Sequence, residues 1–176
     1  MKYLFYAFLL VMTACSSNRY FIVRHAEKTV LTKDSASMMM NNPPLSEAGK
    51  VRAFVLRDEL KNQHIQYIFS TNTIRAIATA EPLNQSIGNT HIEFYSSSKD
   101  SLDGFIEKLK SIKKGNVLVV GHSNTVDDMV NKLCSATKIP GDLKDSDYDN
   151  LYIIKKKGKR MIFSQRKYGY PSSPEN

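Results

Sequence analysis

The stretch Tyr20-Phe21-Ile22-Val23-Arg24-His25-Ala26-Glu27-Lys28 runs from four apolar or aromatic residues straight into an Arg-His pair. A short apolar run that ends in charge reads as a buried strand with chemistry at its carboxyl end. The pattern returns far downstream at Asn116-Val117-Leu118-Val119-Val120-Gly121-His122-Ser123-Asn124-Thr125. Open parallel α/β sheets bind ligands in the crevice outside the carboxyl ends of their strands. Two such strand ends would bring His25 and His122 into one pocket beside the Arg24 guanidinium. That constellation suits the grasp and attack of a phosphate.

Further strands are expected at 67–70, 92–95, 151–154 and 161–165, beside 20–23 and 117–120. Helical patterns fall between them at 47–60, 73–83, 102–112 and 125–133. Ser46 is placed to cap the first helix, with Val51, Phe54, Val55 and Leu60 as its apolar side. Alternating strands and helices predict an α/β fold: a three-layer sandwich with a mostly parallel sheet and helices on both faces. The last two strands flank Gly158 and read as a C-terminal antiparallel hairpin. Residues 29–44 lack periodicity and read as a loop. Met38-Met39-Met40 within it reads as adaptable packing or an apolar lip facing substrate.

The first 14 residues form a separate device. Lys2 precedes an apolar run from Tyr3 to Met12, and Thr13-Ala14 supply small residues before Cys15. These are the parts of a secretory signal peptide. The run falls short of the about 20 apolar residues that a membrane-spanning helix needs. Val11-Met12-Thr13-Ala14-Cys15-Ser16-Ser17 also resembles the bacterial lipoprotein signal, in which the cysteine is lipidated and becomes the new N-terminus. The other reading is a cut after Ala14 that leaves Cys15 a spare thiol. The expected organisation is a leader over 1–14, a short tether over 15–19, one domain over 20–169 and a frayed tail over 170–176. The expected location is the bacterial cell envelope, with the membrane as a partner through the N-terminal lipid. Cys15 and Cys134 are too few for a disulfide framework. Cys134 reads as a small apolar residue on a helix.

The formal charge is +8, from 25 Lys and Arg against 17 Asp and Glu, and falls to +7 once Lys2 leaves with the leader. A basic chain attracts anionic head groups and phosphorylated substrates. Nucleic acid is not expected as a partner. The densest basic run, Lys155-Lys156-Lys157-Gly158-Lys159-Arg160, reads as a solvated hairpin turn, and aromatic residues are not interleaved at base-stacking spacing.

Four blocks stand in the order found in the histidine phosphatase superfamily, the phosphoglycerate mutase-like group. They are Arg24-His25-Ala26-Glu27-Lys28, Pro44-Leu45-Ser46-Glu47-Ala48-Gly49, Ser70-Thr71 with Arg75 and Thr79-Ala80-Glu81-Pro82-Leu83, and Gly121-His122-Ser123-Asn124-Thr125. The chain resembles the small bacterial members of that group over 20–154. The resemblance implies that His25 is the nucleophile, whose neutral imidazole takes the phosphoryl group before water hydrolyses it. It assigns Arg24, Arg75 and His122 to a phosphate pocket that works by positioning and charge stabilisation. Forked guanidiniums fit phosphate oxygens, and His122 would donate as an imidazolium favoured by the bound dianion. Neither a metal nor a cofactor is called for. Lys28, Ser123 and Asn124 are candidates for substrate contact; the last two equally suit the start of the next helix.

Members of the superfamily protonate the leaving oxygen with a Glu or Asp. Ser123 stands where acid phosphatases and phytases carry an Asp. Glu93 is therefore the candidate acid, with an exposed strand position as its other reading. Glu27 and the run Asp142, Asp145, Asp147, Asp149 are further carboxylates that can approach. Ala76 replaces a frequent Thr, and Asn42 a frequent Asp. Mutase chemistry is not expected. The expected function is a metal-independent phosphatase acting on a small phosphorylated substrate or a phosphoprotein. The bond cleaved is a phosphomonoester or that of phosphohistidine, which has the better leaving group. The alternative is a non-catalytic lipoprotein that binds phosphate or a phospholipid head group.

Overall fold

Alternation along the central strands dictates the layers. In the computed structural model, which describes residues 18–30 and 41–172, Tyr20 and Ile22 pack on one side of the sheet and Phe21 and Val23 on the other. All four are buried. The expected leader, the Cys15 lipidation position and the Met38-Met39-Met40 run lie outside the described residues.

The described strands are β1 (Arg19–Arg24), β2 (Ile65–Ser70), β3 (Ile92–Phe94), β4 (Asn116–Gly121), β5 (Asn150–Lys157) and β6 (Arg160–Lys167). They form one sheet in the order β3-β2-β4-β1-β5-β6. The first four in that order are parallel. β5 lies antiparallel to β1, and β6 antiparallel to β5. The hairpin was legible in sequence; its docking against β1, the first strand, was not.

Four helices are described: α1 (Glu47–Leu60), α2 (Ile74–Ser86), α3 (Lys99–Ser111) and α4 (Val126–Cys134). Leu102, Phe105 and Ile106 of α3 and Met129 and Val130 of α4 pack on the Tyr20 and Ile22 face. Leu56 and Leu60 of α1 and Ala80 and Leu83 of α2 pack on the opposite face. Burying each such leucine contributes about 1.5–3 kcal/mol. The expected three-layer α/β fold is the one observed. The Ser46 hydroxyl accepts the Gly49 N–H at 3.1 Å and caps α1 as expected.

Two local expectations need correction. Val51 and Phe54 were assigned to the apolar side of α1, yet each is 51% exposed. The buried side carries Arg52, Ala53, Leu56 and Leu60, because Arg52 finds a carboxylate partner and needs no solvent. The tether and tail are also shorter than expected. Asn18 is buried, its carbonyl accepting the Lys156 N–H and its amide donating to the Ile112 carbonyl. At the other end, Arg52 donates to the Tyr170 carbonyl and the Tyr148 N–H donates to the Ser172 hydroxyl.

Candidate active site

β1 and β4 pair in parallel from Tyr20–Val117 to Arg24–Gly121. His25 and His122 therefore leave the sheet side by side, and the His25 N–H donates to the Gly121 carbonyl at 2.9 Å. Their ring centroids lie 5.2 Å apart, edge to face. A side-chain carbon on Gly121 would crowd Met129, the Tyr95 hydroxyl and the Thr125 hydroxyl, so the close approach here depends on glycine. α2 begins near the carboxyl end of β2 and carries Arg75 into the same space. The cavity they form measures about 350 Å³, and its lining includes Arg24, His25, Arg75 and His122.

Local hydrogen bonds fix the state of His25. Its Nδ1 lies 2.8 Å from the Ala26 carbonyl oxygen. A carbonyl only accepts, so Nδ1 carries the proton and Nε2 keeps the lone pair. Arg75 donates its Nε–H to that lone pair at 3.1 Å. Burial is the main cause that holds His25 down to about 3; the Ala26 bond opposes it, while His122, Arg24 and Arg75 add repulsion. Burial first, then Arg75 and Arg24, holds His122 down to about 4. Both rings are neutral at physiological pH. The imidazolium expected at His122 would need the charge of a bound dianion.

Arg24 is buried and held from the far end of the chain. Its Nη1 donates to the carbonyls of Lys144 and Asp145, each at 2.9 Å, and its Nη2 to the Tyr148 hydroxyl at 3.2 Å. The guanidinium also stacks 4.0 Å from the centroid of the Tyr148 ring. Its Nε is buried without a partner, and so is Nη1 of Arg75. Leaving a buried donor unpaired costs about 1–3 kcal/mol, more when it is charged. Two such donors on arginines that line one cavity with His25 are what a tetrahedral oxyanion would satisfy.

The remaining sequence candidates divide. Lys28, Ser123 and Asn124 line the cavity, although the Ser123 carbonyl is occupied by the Leu143 N–H. Glu93 does not line it. On β3 its carboxylate pairs with Lys108 of α3, which fits the exposed strand position and not the acid. Glu27 is bound to Arg52 through both carboxylate oxygens. Asp145 does line the cavity, its carboxylate 3.7 Å from Arg24.

Several contributors were not singled out from sequence. The Thr71 hydroxyl meets His122 Nε2 at 2.8 Å. Thr79 accepts the Ala26 N–H at 2.9 Å and donates to the Arg75 carbonyl at 2.7 Å, tying the His25 loop to α2. Tyr148 carries Arg24, and Thr73 and Ser97 line the cavity. Thr71 and Thr79 stand inside the quoted Ser70–Leu83 block, so that block was the available signal. Tyr148 had none beyond its acidic surroundings.

Residues 20–99 match the family described as the histidine phosphatase superfamily (branch 1), a span that includes His25 and Arg75 but ends before His122. No curated protein matches the chain. Among solved structures, an Agrobacterium tumefaciens protein provisionally named phosphohistidine phosphatase SixA is 16% identical with a TM-score of 0.59, over 87% of this chain and 98% of that one. Phosphoglycerate mutase from Plasmodium falciparum is 15% identical with a TM-score of 0.59, over 91% and 95% of the two chains. A mutant phosphoserine phosphatase from Entamoeba histolytica, in complex with phosphoserine, is 10% identical with a TM-score of 0.59, over 84% and 95%. At such identities the likeness shows the fold.

Proposed function

We propose that this chain is a phosphatase that passes the phosphoryl group through His25, with Asp145 in place of Glu93 as its acid. The observation that carries this reading is the lone pair on His25 Nε2, in a cavity whose two arginines each keep a buried nitrogen unpaired. The family match over residues 20–99 and phosphatases among the structural neighbours support it.

The steps follow from these atoms. As substrate enters, Arg75 shifts its Nε–H from the His25 lone pair to a phosphate oxygen. Nε2 attacks phosphorus in line, the bond to the leaving atom breaks, and that atom takes the proton of the Asp145 carboxyl group. Arg24, Arg75 and His122 hold the charge on the equatorial oxygens. Water then attacks phospho-His25 and gives a proton to the Asp145 carboxylate. Inorganic phosphate leaves, and Nε2 regains its lone pair. Lys28, Ser123 and Asn124 are left to contact the rest of the substrate.

Two substrate classes fit, a phosphomonoester and a phosphohistidine, and they differ in the need for an acid. Asp145→Asn is expected to slow alkyl phosphates roughly 100-fold or more. It should slow aryl phosphates with acidic phenols, and a phosphohistidine peptide, by less than about tenfold. The check is a leaving-group series with chelator present throughout. Equal losses across the series would remove Asp145 from the acid role. Folded protein that binds phosphate and turns over nothing would replace the phosphatase by a phosphate-binding lipoprotein.

The N-terminal sequence supports export and attachment to a membrane of the bacterial envelope through a lipid on Cys15. Protein made in bacteria is expected to partition into detergent, and Cys15→Ser to move it to the aqueous phase. Partitioning that survives the substitution would refute the anchor.

A further inference from the structure

Six cations gather at one end of this protein. At the amino edge of the parallel strands stand Arg19 at the start of β1, Lys113 and Lys114 just ahead of β4, and Lys157, Lys159 and Arg160 on the β5–β6 turn. Apart from Arg19 these side chains are exposed, and no Asp or Glu occurs at 112–118 or 151–164. The three segments meet at Asn18. Its amide donates to the Ile112 carbonyl at 2.7 Å, its carbonyl accepts the Lys156 N–H at 2.8 Å, and the next residue, Arg19, pairs with Lys155 across the ladder. At the opposite edge the loop ahead of β5 brings the Asp145 carboxylate beside Arg24 and the cavity.

We infer that this basic edge is a docking surface for an anionic lipid bilayer, on which the domain sits with its catalytic cavity turned away. The sequence before Asn18 points to the same occupant. The apolar run from Tyr3 to Met12 and Cys15 lead directly into the centre of the patch, and residues 15–17 span at most about 10 Å. Exposed charges feel an anionic surface only within a Debye length, about 8 Å at physiological salt. A tether this short holds the lysines near that range. The six residues of β1 at about 3.3 Å each place the cavity roughly 20 Å from the bilayer. Substrate then arrives from the aqueous side, and head groups of the supporting membrane are out of reach. The turn read from sequence as merely solvated thereby acquires a partner.

The test uses the full chain carrying Cys15→Ser, so that no lipid anchor contributes. Its binding is measured to vesicles of phosphatidylcholine alone and of phosphatidylcholine with one-third phosphatidylglycerol. Anionic lipid is expected to tighten binding, and each cation contributes about fivefold in affinity. Replacing Lys157, Lys159 and Arg160 by Gln should therefore lose about 100-fold on anionic vesicles and little on neutral ones. Lys113→Gln with Lys114→Gln should lose about 25-fold on the same scale. Turnover of a soluble aryl phosphate should stay unchanged in both variants and reports that they fold. Removing Lys50 and Lys99, at the opposite edge, should change binding less than about threefold. Equal losses from either edge, or no preference for anionic vesicles, would overturn the surface. Tighter binding to a single-stranded oligonucleotide than to anionic vesicles at the same salt would overturn it in favour of nucleic acid.

Discussion

His25→Ala is expected to lower kcat/KM by roughly 10⁴-fold or more on every substrate the parent accepts, because it removes the atom that splits one displacement into two. Arg24, Arg75 and His122 would still bind phosphate, so affinity for inorganic phosphate should fall far less than turnover. Parent enzyme quenched during turnover should carry an acid-labile phosphoryl group on His25. Label on any other residue would overturn the mechanism. The pH profile tests the same atom from another side. The imidazole is held down to about 3, so the neutral form is present throughout the physiological range. Lowering the pH from 7 to 5.5 should not cost activity through the nucleophile, once the substrate's own ionisation near pH 6 is allowed for. An acid limb near 6.5, the ordinary histidine value, would mean that His25 is not buried against its neighbours as described.

The parts of this architecture legible in sequence were those with a short period. Tyr20 to Val23 and Val117 to Val120 are short apolar runs, and the helical patterns alternating with such strands implied helices on both sides. The Arg-His and Gly-His blocks mark the ends of neighbouring parallel strands, so the pocket followed from topology. What stayed hidden depends on partners distant in sequence. Arg24 is carried by the carbonyls of Lys144 and Asp145, 120 and 121 residues away. No local pattern announces a cation that is stacked, buried and still one donor short. Glu93 was selected by its region, but the pairing of β3 with α3 gives its carboxylate to Lys108. Asp145 stood in the sequence only as one of several carboxylates that can approach; it reaches the cavity from the loop ahead of β5, whose antiparallel placement brings that loop back to β1. The apolar side of α1 was set on Val51 and Phe54, not on the face of Arg52, for a related reason. A charged residue in a helix is read as solvent-facing unless its carboxylate is known to be nearby.

Arg52→Ala is expected to destabilise the fold by about 3–5 kcal/mol, the usual cost of leaving one member of a buried ion pair uncompensated. The side chain is 6% exposed, and its Nε and Nη2 engage both oxygens of Glu27 at 2.6–2.9 Å. Its Nη1 and Nη2 also donate to the carbonyls of Tyr168 and Tyr170 at 3.0 Å. One guanidinium thus joins α1, the segment after His25 and the segment after β6. In a domain of this size the loss corresponds to a fall in Tm of roughly 10 °C. Activity should fall too, beyond the loss of folded protein, because Glu27 stands two residues from His25. Glu27 is also held from the other side: a side-chain carbon on Gly49 would overlap its carbonyl. The control is Glu27→Leu with Arg52→Met, which removes both charges and keeps the volume. That pair should be more stable than Arg52→Ala alone, yet less stable than the parent, since the Tyr168 and Tyr170 carbonyls still lack their donor. A double-mutant cycle on Glu27→Ala and Arg52→Ala should give a coupling of about 2 kcal/mol or more. Additive losses would show that the pair is not one unit, and that Arg52 acts on the His25 loop only through packing.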